Sequence, residues 1–232
     1  MPFSGSALFA SYTRARSRTL MLSAFWMAFA SAALCAEPKA LRRDVSGQLA
    51  SSRSEARLQA AMDVQDHRAT ASADALTAAA GAEARPDIRI RMLMAAFEVD
   101  RSSALPFLVA ALRRDPDSLV RAVAAQTLAR FTPDASVRRA FLDGLAKDRD
   151  RDVRRACAIG LGFHHTPDAV KALSDASSDP DPELRRRVGL ALTRHPKSSA
   201  TERILDRLEN DADPSVSGRV RGWRRGGRAP TP

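Results

Sequence analysis

The chain has 232 residues, 44% of them hydrophobic, which is enough to bury a sizeable core as one elongated domain. Aromatic residues make up only 5% of it, which suits helices packed through small side chains. Formal charge is +10, but Arg14, Arg16 and Arg18 and five arginines after Val216 carry eight of these charges; the body keeps only +2, which argues against a basic nucleic-acid-binding domain.

Residues 1–36 hold no acidic residue. Three arginines precede the apolar run Leu20–Ala36, which ends in small residues. A positive flank, an apolar centre and a small-residue end describe an export signal, with cleavage expected after Ala32 or Ala36. Leu34 fills the position that should be small in a lipoprotein box, so Cys35 is not a lipid-attachment site. An uncleaved anchor is the alternative, because the run approaches spanning length. Both readings put the rest of the chain outside the cytoplasm, periplasmic or secreted, or anchored and facing outward. Residues 37–86 are Ala- and Ser-rich. Ser54 to Met62 and Ser72 to Ala80 have the composition of helices, either as degenerate first repeats or as a loose leader.

From residue 87 to 215 one pattern recurs. D-P-D-S-L-V-R-A-V-A-A-Q-T-L begins at Asp115, and related stretches begin at Asp148, Asp179 and Asp211. Their first apolar residues, Val120, Val153, Leu184 and Val216, lie 33, 31 and 32 residues apart. Ile90 extends this register upstream, and Leu58 extends it weakly. A period of this size marks a solenoid. Within each copy the positions 0, +4 and +8 are apolar: Val120, Ala124, Leu128; Val153, Cys157, Leu161; Leu184, Val188, Leu192. They share one face of a helix at 3.6 residues per turn. A preceding helix ends near Leu112, Leu145, Ala176 and Leu208. Each repeat is therefore a helix pair that buries its apolar stripe only against its neighbours.

Every turn carries D-x-D: Asp115/Asp117, Asp148/Asp150, Asp179/Asp181 and Asp211/Asp213. The second Asp suits an N-cap, with Pro182 and Pro214 at the first helical position. A calcium loop at Asp148–Asp152 is rejected, because the loop glycine is missing and Ile159 stands where a bidentate glutamate belongs. Cys157 lies on the buried stripe and reads as a core residue. His164 and His195 are equivalent in adjacent repeats, with His165 nearby. No carboxylate or cysteine completes a metal set, so helix-end histidines facing their own carbonyls are expected and no metal or cofactor is assigned. Residues 216–232 are basic and Gly-rich, read as a solvated end or as a binder of phosphates or anionic head groups.

The turn Asp, the apolar residue and the Arg that follows it resemble the HEAT-like repeats, notably the short kind found in phycobilisome lyase subunits. The resemblance covers about Asp87 to Val220 and implies an all-α solenoid of stacked helix pairs. It further implies a structural Asp–Arg ladder: Asp117 with Arg121, Asp150 with Arg154, and Asp181 with Arg185. Ser217 breaks the series, as suits a terminal repeat. Members of this fold that resemble deoxyhypusine hydroxylase carry His-Glu pairs for iron; this chain has no such pair. The resemblance also implies that second helices line a concave surface. There the outward positions offer Gln126, Arg130, Arg155, Ile159, Arg186, Leu190 and Arg194 to an acidic or extended segment of a protein partner. The sequence thus reads as an exported, non-enzymatic scaffold for an unknown protein partner, with membrane contact confined to the signal or the tail. The alternatives are a lyase-like or metal-dependent accessory protein, and an envelope or nucleic-acid binder acting through the tail.

Overall fold

The computed structural model describes residues 43–131 and 133–226; the export-signal expectation lies outside them. The described residues form twelve helices and one pair of two-residue strands. Strands β1 (Arg43–Asp44) and β2 (Ala69–Thr70) run parallel, Arg43 opposite Ala69 and Asp44 opposite Thr70. The short helix α1 (Ser46–Leu49) follows β1, and α2 (Ser54–Gln65) and α3 (Ala73–Ala82) precede and follow β2 in the chain. From residue 43 on, the segment read as leader or degenerate repeat is therefore folded, with Ala60, Ala61, Leu76 and Ala80 all within 3% of complete burial.

Next come α4 (Pro86–Val99), α5 (Arg101–Arg114), α6 (Ser118–Leu128), α7 (Ala135–Lys147), α8 (Arg151–Leu161), α9 (Pro167–Ala176), α10 (Pro182–Leu192), α11 (Ser199–Glu209) and α12 (Pro214–Arg224). The fold is an all-α solenoid: α4, α6, α8, α10 and α12 stack in sequence order as second helices, and first helices α5, α7, α9 and α11 stack beside them. The stripe read from the sequence is the core. Val120, Ala124, Leu128, Val153, Cys157, Leu161, Leu184, Val188 and Leu192 are each at most 1% exposed.

Small residues set how closely the helices approach. A Cβ on Gly160 of α8 would lie 2.5 Å from the Phe141 ring of α7, and one on Gly189 would lie 2.7 Å from Val220 of α12. Here glycine is required by contact across the helix interface. Second aspartates cap the second helices. Asp117 accepts from Leu119 N at 2.8 Å, Asp150 from Asp152 N at 2.9 Å, Asp181 from Glu183 N at 3.1 Å and Asp213 from Ser215 N at 2.8 Å. Each satisfies a backbone donor that the helix leaves open at its first turn.

The last repeat reaches further than expected. Pro214–Arg224, of which residues from 216 on were assigned from sequence to a basic tail, form the second helix of the last described pair, with Val216 and Val220 fully buried. Arg224 is fixed on α11 by Glu202, by Asp206 at 2.6 Å and by Glu209 at 3.1 Å. No helix among the described residues is long and apolar enough to cross a membrane.

Candidate functional site

The repeated arginine and the first Asp of the D-x-D turn build a ladder along the second helices. Arg121 of α6 donates from Nε and Nη2 to both oxygens of Asp148, at 2.8 and 2.9 Å. Its Nη1 reaches back to the carbonyls of Asp115 and Pro116, at 2.9 and 3.3 Å. Arg185 repeats this toward Asp211 at 2.7 and 2.8 Å, and Arg89 toward Asp115 at 3.0 and 2.7 Å. Arg57 closes the N-terminal end on Glu83, whose side chain is fully buried. Arg154 sits 3.7 Å from Asp179, the loosest rung.

This corrects the expected pairing. Arg121, Arg154 and Arg185 do not bridge to Asp117, Asp150 and Asp181; they cross to the first acid of the next repeat. The second acid caps the following helix, and Asp181 additionally takes Arg155 of the preceding repeat. The first acid faces the preceding repeat and also accepts the backbone N–H two residues on, at 2.9 Å in each of Asp115, Asp148, Asp179 and Asp211. The upstream register shifts as well. Arg89 and Arg57, not Arg91 and the position after Leu58, carry the rungs, because Arg91 lies two residues further round α4 and donates to Gln65 at 3.1 Å. Hydrogen bonds from Arg185 hold the Asp211 carboxyl below the usual range, and the Asp211 carboxylate raises Arg185 in return.

The residues expected on the outward face divide into three groups. Arg155 is already engaged: it donates to both oxygens of Asp181 at 2.6 and 2.7 Å and to Asp152 at 2.9 Å, with its side chain 15% exposed. Burial alone would raise Asp181, but the bonds from Arg155 hold it low. Arg186 is bonded to Glu183 of its own helix at 2.7 Å, and Glu183 also takes Arg187 at 2.6 Å. Leu190, expected as a contact residue, is buried at 4% exposure. A second helix here has a second helix on either side and a first helix behind it, which leaves a narrow open strip. Gln126 and Ile159 lie half-buried on that strip. Arg130 is exposed, with its guanidinium 4.9 Å from the Phe97 ring centroid, and Arg194 lies 4.8 Å over Phe163. These are cation–π distances. The expected surface is thus a row of separate clusters, ion-paired at Arg155 and Arg186 and stacked on phenylalanine at Arg130 and Arg194.

The histidines do not sit as expected either. His195 is buried and its Nε2 meets the carbonyl of Leu161, at the end of α8, at 3.0 Å. The capped carbonyl belongs to the neighbouring repeat, 34 residues away, so His195 ties two second helices together. His164 is buried edge-on to Phe141, with ring centroids 5.7 Å apart. The adjacent imidazoles are His165 and His195, at 5.1 Å. Burial lowers the pKa of both His164 and His195. Among the described residues no group of three or more His, Cys, Asp or Glu is placed to hold a metal ion. Cys157 is a free, buried thiol that burial pushes up.

One concavity was not anticipated from the sequence. A groove of about 740 Å³ runs between α10 and α12, with Glu183 and Arg186 on one side and Gly218, Arg219, Gly222 and Trp223 on the other. Arg219 and Trp223 were read only as parts of a tail. The repeat register at Val216 was the signal that they belong to a packed helix.

This arrangement defines a class: helix pairs stacked into a scaffold and joined by charge ladders. Two family models match, one for a HEAT repeat over residues 104–135 and one for HEAT repeats over residues 132–221. The chain belongs to the HEAT-like repeat family. Among solved structures it is similar to the complex of CpcE and CpcF of phycocyanin lyase from Nostoc sp. PCC7120, with TM-score 0.54 and 24% identity over 66% of this chain and 97% of that one. At that identity the likeness concerns the fold. No curated protein matches the chain.

Proposed function

We propose that the protein is an exported, non-enzymatic HEAT-repeat scaffold that binds another protein along its second helices. The observation that supports this most is the continuous stack from α4 to α12, locked by bidentate Arg–carboxylate rungs that cross from repeat to repeat. Such rungs fix the spacing of successive helices, so a partner meets a preorganised surface and binding orders little of the scaffold. Two groups with chemical potential are engaged in packing: the Cys157 thiol is buried and His195 is bonded to a carbonyl. Export rests on the basic flank and apolar run of residues 1–36.

The test is a pull-down from envelope extract, comparing the wild-type bait with Ile159→Glu and Arg130→Glu on the open strip. Arg155 is unsuitable for reversal, because its loss strands Asp181. A partner reduced in the variants supports the scaffold; no partner with any bait overturns it. Mass spectrometry of the exported protein tests the signal, with a mature N-terminus at Ala33 or Glu37 expected; an intact Met1 terminus in the cytoplasmic fraction overturns export. A metal-dependent accessory role draws on the His165–His195 pair at 5.1 Å. Two imidazoles are half of a tetrahedral set, and stoichiometric zinc in purified protein would favour that role.

A further inference from the structure

We infer that the groove between α10 and α12 is a docking site for an extended, glutamate- or aspartate-rich segment of a partner protein. This rests on the scaffold reading and locates where the partner is held.

The groove lies where α10 and α12 pack side by side. The face of α12 that borders the groove presents Gly218 and Gly222, one turn apart, where an added Cβ would meet nothing within 4 Å. Gly189 and Gly160 are glycines because a neighbour occupies the space. Gly218 and Gly222 instead leave bare helix backbone facing the groove, with Trp223 beside it. A bare floor lets a ligand main chain approach closely, and the indole gives an apolar wall for one side chain.

Charge selects the kind of chain. Glu183, the only acid on the groove wall, is already bonded to both Arg186 and Arg187. Arg219 stands exposed on the opposite wall. After Asp213 the chain has five arginines and no acid. Among the described ones, Arg224 is neutralised by the acids of α11. The surplus is positive, in guanidinium form, and guanidinium pairs with carboxylate in two-point geometry. An amphipathic helix fits poorly, because helix-in-groove recognition needs an apolar trough and this one offers only Trp223 and Pro214. The eleven residues of α12 give a wall of about 16 Å, enough for roughly five residues of extended chain.

The probe is a fluorescein-labelled peptide of alternating glutamate and serine, about eight residues long to overfill the groove. It is read by anisotropy against a lysine–serine counterpart and a single-stranded oligothymidylate. Gly222→Leu fills the floor without changing charge, at a site open enough for the helix to tolerate it. Arg219→Glu reverses one wall, and Arg203→Glu on α11 makes the same charge change elsewhere. Far-ultraviolet circular dichroism checks that each variant is folded. The expected result is binding of the glutamate peptide alone, weakened about tenfold or more by Gly222→Leu and by Arg219→Glu, and less than about twofold by Arg203→Glu. Equal losses from Arg203→Glu and Arg219→Glu would mean diffuse attraction and overturn the site, as would indifference to Gly222→Leu. Tighter binding of the oligothymidylate at the same residues would reassign the groove to nucleic acid. Absence of glutamate-peptide binding up to about 1 mM overturns the inference as well. In the pull-down, partners kept by the groove variants but lost from Ile159→Glu would remove the groove and leave the scaffold, whereas no partner with any bait removes the scaffold itself.

Discussion

Truncating Arg121 to alanine tests whether the ladder holds the solenoid. Arg121 makes two charge-assisted bonds to Asp148 and two more to loop carbonyls, with the two side chains only 17% and 10% exposed. Breaking a fully buried pair costs about 3–5 kcal/mol, and an exposed pair rarely more than ~1. The partial exposure here places the loss between them, at about 2–3 kcal/mol, because Asp148 keeps its bond from Asp150 N but loses its counter-charge. Arg154 is the internal control. It lies 3.7 Å from Asp179, its carbonyl bonds are 3.3 Å long, and both side chains are about a fifth exposed. Arg154→Ala should cost about 1 kcal/mol, near the range of surface pairs. Urea unfolding followed by circular dichroism reads both; with a slope of about 2 kcal/mol per molar, the Arg121 variant should unfold roughly 1 M earlier than wild type. A double-mutant cycle then separates the two acids. Coupling of Arg121 to Asp148 should exceed ~1 kcal/mol, and coupling to Asp117 should stay below about 0.5. Equal losses at Arg121 and Arg154, or stronger coupling to Asp117, would refute the crossing ladder.

Gly160→Ala places a Cβ 2.5 Å from the Phe141 ring and should destabilise by about 1–3 kcal/mol in the same urea assay, with partial rescue by Phe141→Leu. Native Cys157 should resist iodoacetamide at pH 8 and react fully in urea, since burial removes access and raises the thiol; fast native labelling would contradict its place in the core. His164 and His195 have folded pKa values below the unfolded one, so their contribution is present above pH ~6.5 and falls away as pH drops through the folded values, by at most ~1.4 kcal/mol per pH unit each. Unfolding midpoints measured between pH 7.5 and pH 5 should fall, and His195→Gln should flatten the profile.

The helix pairs, the buried stripe and the caps were legible because each depends on local rules: a 3.6 period, a D-x-D turn and a proline at the first helical position. What the sequence left open depends on distance. Both acids of D-x-D are near the arginine in sequence, and the choice of Asp148 over Asp117 for Arg121 is made across 27 residues. Ile90 and Arg91 matched the pattern as well as Ile88 and Arg89 by composition. The structure prefers the latter because α4 starts at Pro86, which turns Arg89 toward Asp115. Leu190 looked available on a helix considered alone and is covered once that helix has neighbours on both sides.

The same logic says where binding energy is available. An arginine inside the stack is held by a carboxylate of the next repeat, and using it to bind a partner would first require breaking that rung. Arg155, with three bonds to Asp181 and Asp152, is the clearest case. Among the described residues the series of arginine–acid rungs runs as far as Asp211. Arg185 has its acid in Asp211, but the register position after Val216 is Ser217, and α12 contributes arginines without a following D-x-D turn among the described residues. The outward charge of α12 is therefore the part of the pattern that the stack does not consume. A partner supplying carboxylates in the groove between α10 and α12 would form the guanidinium–carboxylate pairing that also joins repeat to repeat.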